Sequence, residues 1–329
     1  MYEAAYGSLP PGPELSLARL RITRVLTRHD VCSMRTLESK ISESGRGPKP
    51  APHVLYYAIK TMENDGTLRT LRPAAAPCQF YTLATVDPAV LDARLSFLVA
   101  EATKWNTAVS RSDTVGKHGE SIVHQAFVSS PAFYVGPGWG NVEEVNGITI
   151  PSSRTGRKGS VDGFIMLSAL PPSEGAAIVE VKNIREWIYP MELMLWDVIR
   201  NGFVVNAVPV ILTRKIYHST YNYVLSQLGA VGIQLHNQFL PTAMQNDLAS
   251  CKDKSSLGFK DITFTATPPN HVREAVKVLA NQLPNSRARM TVVRATVLPF
   301  LDDLANEATP RKVRKSRYVE LQTALKAIR

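Results

Sequence analysis

Apolar residues recur at helical spacing between Leu15 and Leu26, at Leu17, Leu20 and Val25, with Arg19, Arg21, Arg24 and Arg28 set between them. That pattern predicts an amphipathic helix. A second helix is expected over MRTLESKI, with Ser33 as its N-cap, and SESGRGPKPAP then breaks the chain. HVLYYAIKTMENDG predicts a third helix ended by Gly66, and TLRTLRPAAAPCQFYTLA reads as two short strands around a loop. From Pro88 to Ser110, Val90, Leu91, Leu95, Leu98 and Val99 mark a helix joining two halves of the chain.

Beyond Lys117 the periodicity changes. GESIVHQAF is helical, and NVEEVNGITI, SVDGFIMLSAL, GAAIVEVKNI and AVPVILTRKI are strand-like. YHSTYNYVLSQLG returns to a helical pattern and VGIQLHNQF to a strand-like one. The order predicts an α/β fold with a mixed central sheet flanked by helices. From His271 the chain is rich in helix. The expected division is a flexible N-terminus over 1–14, a helical and hairpin domain over 15–86, a helical linker over 87–114, an α/β domain over 115–245 and a helical C-terminal extension over 246–329.

Three short helices followed by a hairpin resemble the winged helix-turn-helix family across 15–86. The resemblance implies that the third helix presents Pro52, His53, Tyr56, Tyr57 and Lys60 to the major groove of DNA, with Arg69 and Arg72 on the wing. Winged helices also mediate protein contacts, and charge tilts the choice. The 329 residues hold 38 Lys and Arg against 28 Asp and Glu, a net charge of +10, which favours a polyanionic partner. Cys32, Cys78 and Cys251 form no CxxC pair and no even set, so a disulfide framework or structural zinc is not expected. The N-terminus lacks the basic and apolar regions of a signal peptide, and no apolar run approaches the roughly 20 residues of a membrane span. A soluble, cytoplasmic protein is the expectation.

The chemistry concentrates in two strands. In IVEVKN, alternation sends Glu180 and Lys182 to one face and Val179 and Val181 to the other. Asp162, in KGSVDGFIML, opens a segment that pairs with the Glu180 strand as a hairpin across SALPPSEGA. The 18-residue separation brings Asp162 opposite Glu180. An acid inside an apolar strand is costly unless paired or bound to a metal. Another acidic-x-Lys triplet, Glu38-Ser39-Lys40, lies in a helix without that context.

Asp-x17-Glu-Val-Lys, preceded by a helix carrying Glu120, with His124 one turn along and Gln125 beside it, resembles the PD-(D/E)XK nuclease superfamily over about residues 115 to 240. The usual proline before the aspartate is missing, since Ser160 and Val161 precede Asp162. The resemblance implies a restriction-endonuclease-like core in which Asp162, Glu180, the Val181 carbonyl and Glu120 hold Mg²⁺ or Mn²⁺. It implies that Lys182 orients or helps deprotonate water, and that the chain is a metal-dependent deoxyribonuclease. Cutting both strands of a duplex favours a homodimer with two sites.

NIREWIYP follows directly. Arg185 and Tyr189 suit phosphate contacts, whereas Trp187 and Tyr189 also suit anchoring of the next helix. Arg214, Lys215 and His218 follow another strand and would line a DNA path. The run Arg311, Lys312, Arg314, Lys315 and Arg317 suits either phosphate contact or a solvated helix face. An organic cofactor is not expected, because no GxxxxGK[ST] or strand-bound GxGxxG occurs and GPGWGN at 136–141 has no helix behind it. Nor is there a GxSxG elbow. The competing expectation is a non-catalytic DNA-binding regulator whose α/β domain serves dimerisation or sensing.

Overall fold

The computed structural model describes residues 12–43, 49–110, 113–152 and 158–328. Most of the expected flexible N-terminus lies outside the described residues, while Gly12 to Glu14 already begin a helix. The architecture is mixed α/β with several sheets, and the chain divides into two compact units. No helix among the described residues is long and apolar enough to cross a membrane.

The first unit takes 1–113 and 242–264. Helices α1 (Gly12–His29), α2 (Met34–Glu43) and α3 (Pro52–Asn64) surround Ile22, Leu26, Leu37, Leu55 and Ile59, all buried. Ser33 caps α2 as expected, its Oγ accepting the Thr36 N–H at 3.3 Å. Strands β1 (Val31–Ser33), β2 (Leu68–Leu71) and β3 (Phe80–Leu83) form an antiparallel sheet in the order β1-β3-β2, with Tyr81 between Cys32 and Thr70. The helix expected as a linker is α4 (Pro88–Ser110), and it belongs to this unit. Its Glu101 is buried and accepts from Lys104 at 2.5 Å, Ser250 at 2.7 Å and Ser256 at 3.0 Å. That network ties the returning segment 242–264 to α4.

The second unit takes 114–241 and 265–329. After helix α5 (Asp113–Val128) come β4 (Phe133–Val135), a small hairpin of β5 (Glu144–Val145) and β6 (Ile148–Thr149), then β7 (Gly163–Leu167) and β8 (Ala176–Lys182). Helix α6 (Leu193–Val204), β9 (Val208–Thr213) and β10 (Val231–Gln234) follow. The sheet runs β10-β9-β8-β7-β4, with β4, β7 and β8 antiparallel in succession and β8, β9 and β10 parallel. β9 is buried at all six positions, as a parallel strand covered on both faces must be.

The helical extension expected over 246–329 is thus divided between the units. Helices α7 (Asn270–Ala305) and α8 (Arg311–Lys326) share one core with the sheet. α7 buries Val272, Val276, Leu279, Leu283, Met290, Val293 and Val297, a single stripe at spacings of three, four and seven. From α7, Arg294 donates to the Phe203 carbonyl at 3.0 Å and Arg289 to the Gln227 carbonyl at 2.9 Å. Both carbonyls lie in last helical turns, where no intrahelical donor remains.

The helix carrying Gln227 ends at Gly229, whose φ of +71° is left-handed. A Cβ there would stand 2.4 Å from Met290 N and 2.4 Å from Ser286 O, both backbone atoms of α7. Gly229→Ala is therefore expected to destabilise the protein by about 2–5 kcal/mol, the sum of left-handed strain and overpacking. Urea unfolding checks it, and an unchanged midpoint would mean that α7 does not approach this closely.

Candidate active site

The β7–β8 pair puts the acidic residues face to face. Gly163 is opposite Val179, so the position just outside the ladder sets Asp162 against Glu180. The Val181 N–H donates to Asp162 Oδ2 at 2.6 Å, and the Gly140 N–H donates to the Asp162 carbonyl at 2.6 Å. At the end of β9, Thr213 Oγ1 donates to the Lys182 carbonyl at 3.0 Å. Hydrogen bonds from three directions thus fix the residues that present the charges.

The electrostatics are unbalanced. Burial, then Glu180 and more weakly Glu120, push the Asp162 carboxyl from near 3.8 up to about 8 against the pull of Lys182 and the Val181 N–H. Lys182 is ion-paired with Glu180. Burial alone would lower its ammonium, but Glu180 and Asp162 outweigh burial and the net shift is upward. Glu120 also acts on Lys182, so the acid expected from the preceding helix belongs to the same electrostatic group.

α5 reaches this position through a contact with little sequence signal. A Cβ on Gly119 would stand 2.4 Å from Asn183 Cβ, so only glycine lets the helix approach so closely. Asn183, 6% exposed and next to Lys182, donates to the Val115 carbonyl at 2.7 Å and the Phe239 carbonyl at 2.6 Å, and accepts the Phe239 N–H at 2.8 Å. Asn183 is a positioning residue, fastening the start of α5 to the end of β8. A glycine inside an otherwise helical segment was the available clue, because it costs helix stability unless packing requires it. Farther along α5, His124 stacks on Trp139 at 4.8 Å, and burial lowers its imidazole pKa. Gln125 instead bonds Ser121 on its own helix at 3.3 Å.

Among the described residues, no three His, Cys, Asp or Glu side chains converge closely enough to hold an ion as they stand. The donor set nevertheless suits a hard divalent cation. Its carboxylate oxygens are hard ligands, and three acids facing one ammonium leave the negative surplus that holds Asp162 up. A cation bound here would be held by Asp162 and Glu180, with Glu120 near, and Glu180 would have to exchange Lys182 for it.

Several expected DNA contacts are placed elsewhere than on an open surface. Arg185 is 7% exposed and Arg214 4% exposed, the Arg214 guanidinium donating to the Arg185 carbonyl. Both are buried, and the Arg214 side chain joins the turn after β9 to the turn after β8. Lys215 lies over the Trp187 ring at 5.1 Å, and Tyr189 packs on Tyr217 at 5.2 Å, so this aromatic patch anchors the local chain. Tyr217 in turn meets His218 at 4.3 Å.

On α3, His53 is 9% exposed and joins the interior, while Tyr56, Tyr57 and Lys60 are half-buried. Lys60 donates to Glu63 at 2.7 Å. Arg69 and Arg72 are exposed, Arg69 donating to the Val86 carbonyl at 3.0 Å. In the C-terminal basic run, Arg317 is bound to Asp303 at 2.7 Å and Glu320 at 2.8 Å, and Arg311 and Arg314 act on Glu192.

The chain matches no family model, and neither a curated protein nor a solved structure shows significant similarity to it.

A raised aspartate has a definite sign in stability. Below its ordinary value near 3.8, Asp162 is protonated in both the folded and unfolded states and costs nothing. As pH rises toward about 8, the unfolded chain ionises and the folded one resists, so stability is lost through that window. Asp162→Asn keeps an acceptor for the Val181 N–H and removes the titration. In metal-free buffer the variant is expected to melt above the wild type at pH 7, with the gap closing by pH 4. A variant less stable at both pH values would contradict the charge imbalance.

Proposed function

We propose that the chain is a metal-dependent nuclease that hydrolyses phosphodiester bonds in DNA. The observation that carries this reading is the opposition of Asp162 and Glu180 across β7 and β8, with Lys182 on the same face and Glu120 acting on both Asp162 and Lys182. The order of α5, the antiparallel β7–β8 pair, α6 and the parallel β9 supports a restriction-endonuclease-like core. The three helices and antiparallel sheet of the first unit support a winged helix that delivers the site to DNA. Mg²⁺ or Mn²⁺ would supply Lewis-acid stabilisation of charge on the scissile phosphate.

The residues themselves set the rest. Asp162 and Glu180 would supply oxygen ligands from neighbouring chain segments, and the Val181 N–H orients Asp162 by holding Oδ2. Lys182, kept protonated by its acidic neighbours, acts through its Nζ as a donor that orients the attacking water and offsets phosphate charge. As a base it would first have to lose a proton that Glu180 and Asp162 hold in place.

The non-catalytic regulator reading draws on the Glu180–Lys182 pair, which occupies one of the proposed ligands. Incubation with plasmid, linear, branched and single-stranded DNA in Mg²⁺ or Mn²⁺ separates the two. Cleavage by the wild type, reduced about 100-fold or more in Asp162→Ala and Lys182→Ala, is the expected result. Binding without cleavage of any substrate, or cleavage indifferent to both substitutions, would favour the regulator.

A further inference from the structure

Within the first unit, α1 turns Arg21, Arg24 and Arg28 toward one side, at spacings of three, four and seven residues. With them, Lys40 from α2, Lys254 from the returning segment, His29 and the apolar Val25 line a cavity of about 310 Å³. Among the described residues five cationic side chains line it and no carboxylate does. Lys40 is 6% exposed, and its ammonium donates to the Lys254 carbonyl at 2.6 Å, so one cation is built into the wall. Among the described residues neither Arg24 nor Arg28 meets a carboxylate, whereas Arg19 on the same helix is paired with Asp65 at 2.6 Å.

A solvated helix face explains these features poorly. Such a face is convex and mixes charges, whereas this wall is concave, of one sign and partly buried. Like charges at i and i+4 also weaken a helix, so Arg24 and Arg28 carry a cost that a bound anion would remove. His29 senses the same field: burial, then Lys40, Arg94, Arg28 and Lys254, push its imidazole down to about 4.

We propose that this pocket binds a multiply charged phosphate group, carried on the end of a nucleic-acid strand or on a free nucleotide. Guanidinium forks match phosphate oxygens in pairs, and ammonium groups add point charge. The volume falls at the small end of the roughly 300–1,000 Å³ of ligand pockets, suited to a phosphate with one attached group rather than an extended duplex. The assignment is independent of the nuclease reading, since it concerns binding in the other unit.

Inorganic pyrophosphate is the first probe, titrated calorimetrically into the full chain and into Arg24→Ala/Arg28→Ala. Both arginines are exposed, so the double variant should fold, and circular dichroism verifies it. The expected result is binding by the wild type, weakened about 100-fold in the double variant, roughly tenfold for each guanidinium, and unchanged in Arg311→Ala/Lys312→Ala. ATP and a short single strand, with or without a 5′-phosphate, then identify the source. Preference for ATP over both strands assigns a free nucleotide, and preference for the 5′-phosphorylated over the 5′-hydroxyl strand assigns a strand end. No binding of pyrophosphate by the wild type, or equal binding by the Arg24 and Arg28 variant, overturns the proposal.

Discussion

Asp162 and Glu180 are held opposite each other at the end of one antiparallel strand pair, with the Lys182 ammonium as the nearest compensating charge. Like charges directly across a strand pair repel, and burial strengthens the repulsion. The second unit tolerates this because its backbone is fixed around the charges: Val181 and Gly140 grip Asp162 from both sides, and Thr213 ties β9 to Lys182. Behind them β8 and β9 are buried strands that share one packed core with α6 and α7. The strain appears as proton affinity at Asp162 rather than as a displaced strand.

The same residues show how far the amino-acid pattern reaches. Alternation in IVEVKN and the hairpin spacing to Asp162 were sufficient to place the trio on one face, because both follow from strand geometry. The helices α1 to α3 and the strands β7 to β10 were legible from local patterning too, the helices from apolar residues at helical spacing and the strands from short apolar runs between turns. Other features depend on contacts distant in sequence. β4 is a three-residue edge strand whose pairing with β7 leaves almost no local periodicity. The return of 242–264 to the first unit depends on Glu101 meeting Ser250 and Ser256, and no window of the chain contains both partners. Arg185 and Arg214 read as surface cations because charge usually means exposure, but both are buried, Arg214 with its guanidinium on the Arg185 carbonyl. Asn183 was visible beside the motif, but its use against Gly119 appears only once α5 is laid on β8.

The two units carry charge in opposite ways. The first concentrates cations on α1, α2 and the segment around Lys254, with no acid among the described residues on the wall of that pocket. The second places a surplus of carboxylate where strands end. A polyanion is attracted by the first arrangement and repelled by the second, unless a divalent cation neutralises the acids. Under the proposed function a divalent cation would have two physical roles, relieving the charge imbalance at Asp162 and removing the barrier to phosphate approach.

The proposed function requires the Asp162–Glu180 pair to be a cation site. Calorimetric titration of Mn²⁺ into the metal-free chain tests it without reference to any substrate. Saturable binding by the wild type, abolished in Asp162→Asn and weakened in Glu180→Gln, is the predicted result. Absence of binding, or equal affinity in all three proteins, would contradict it.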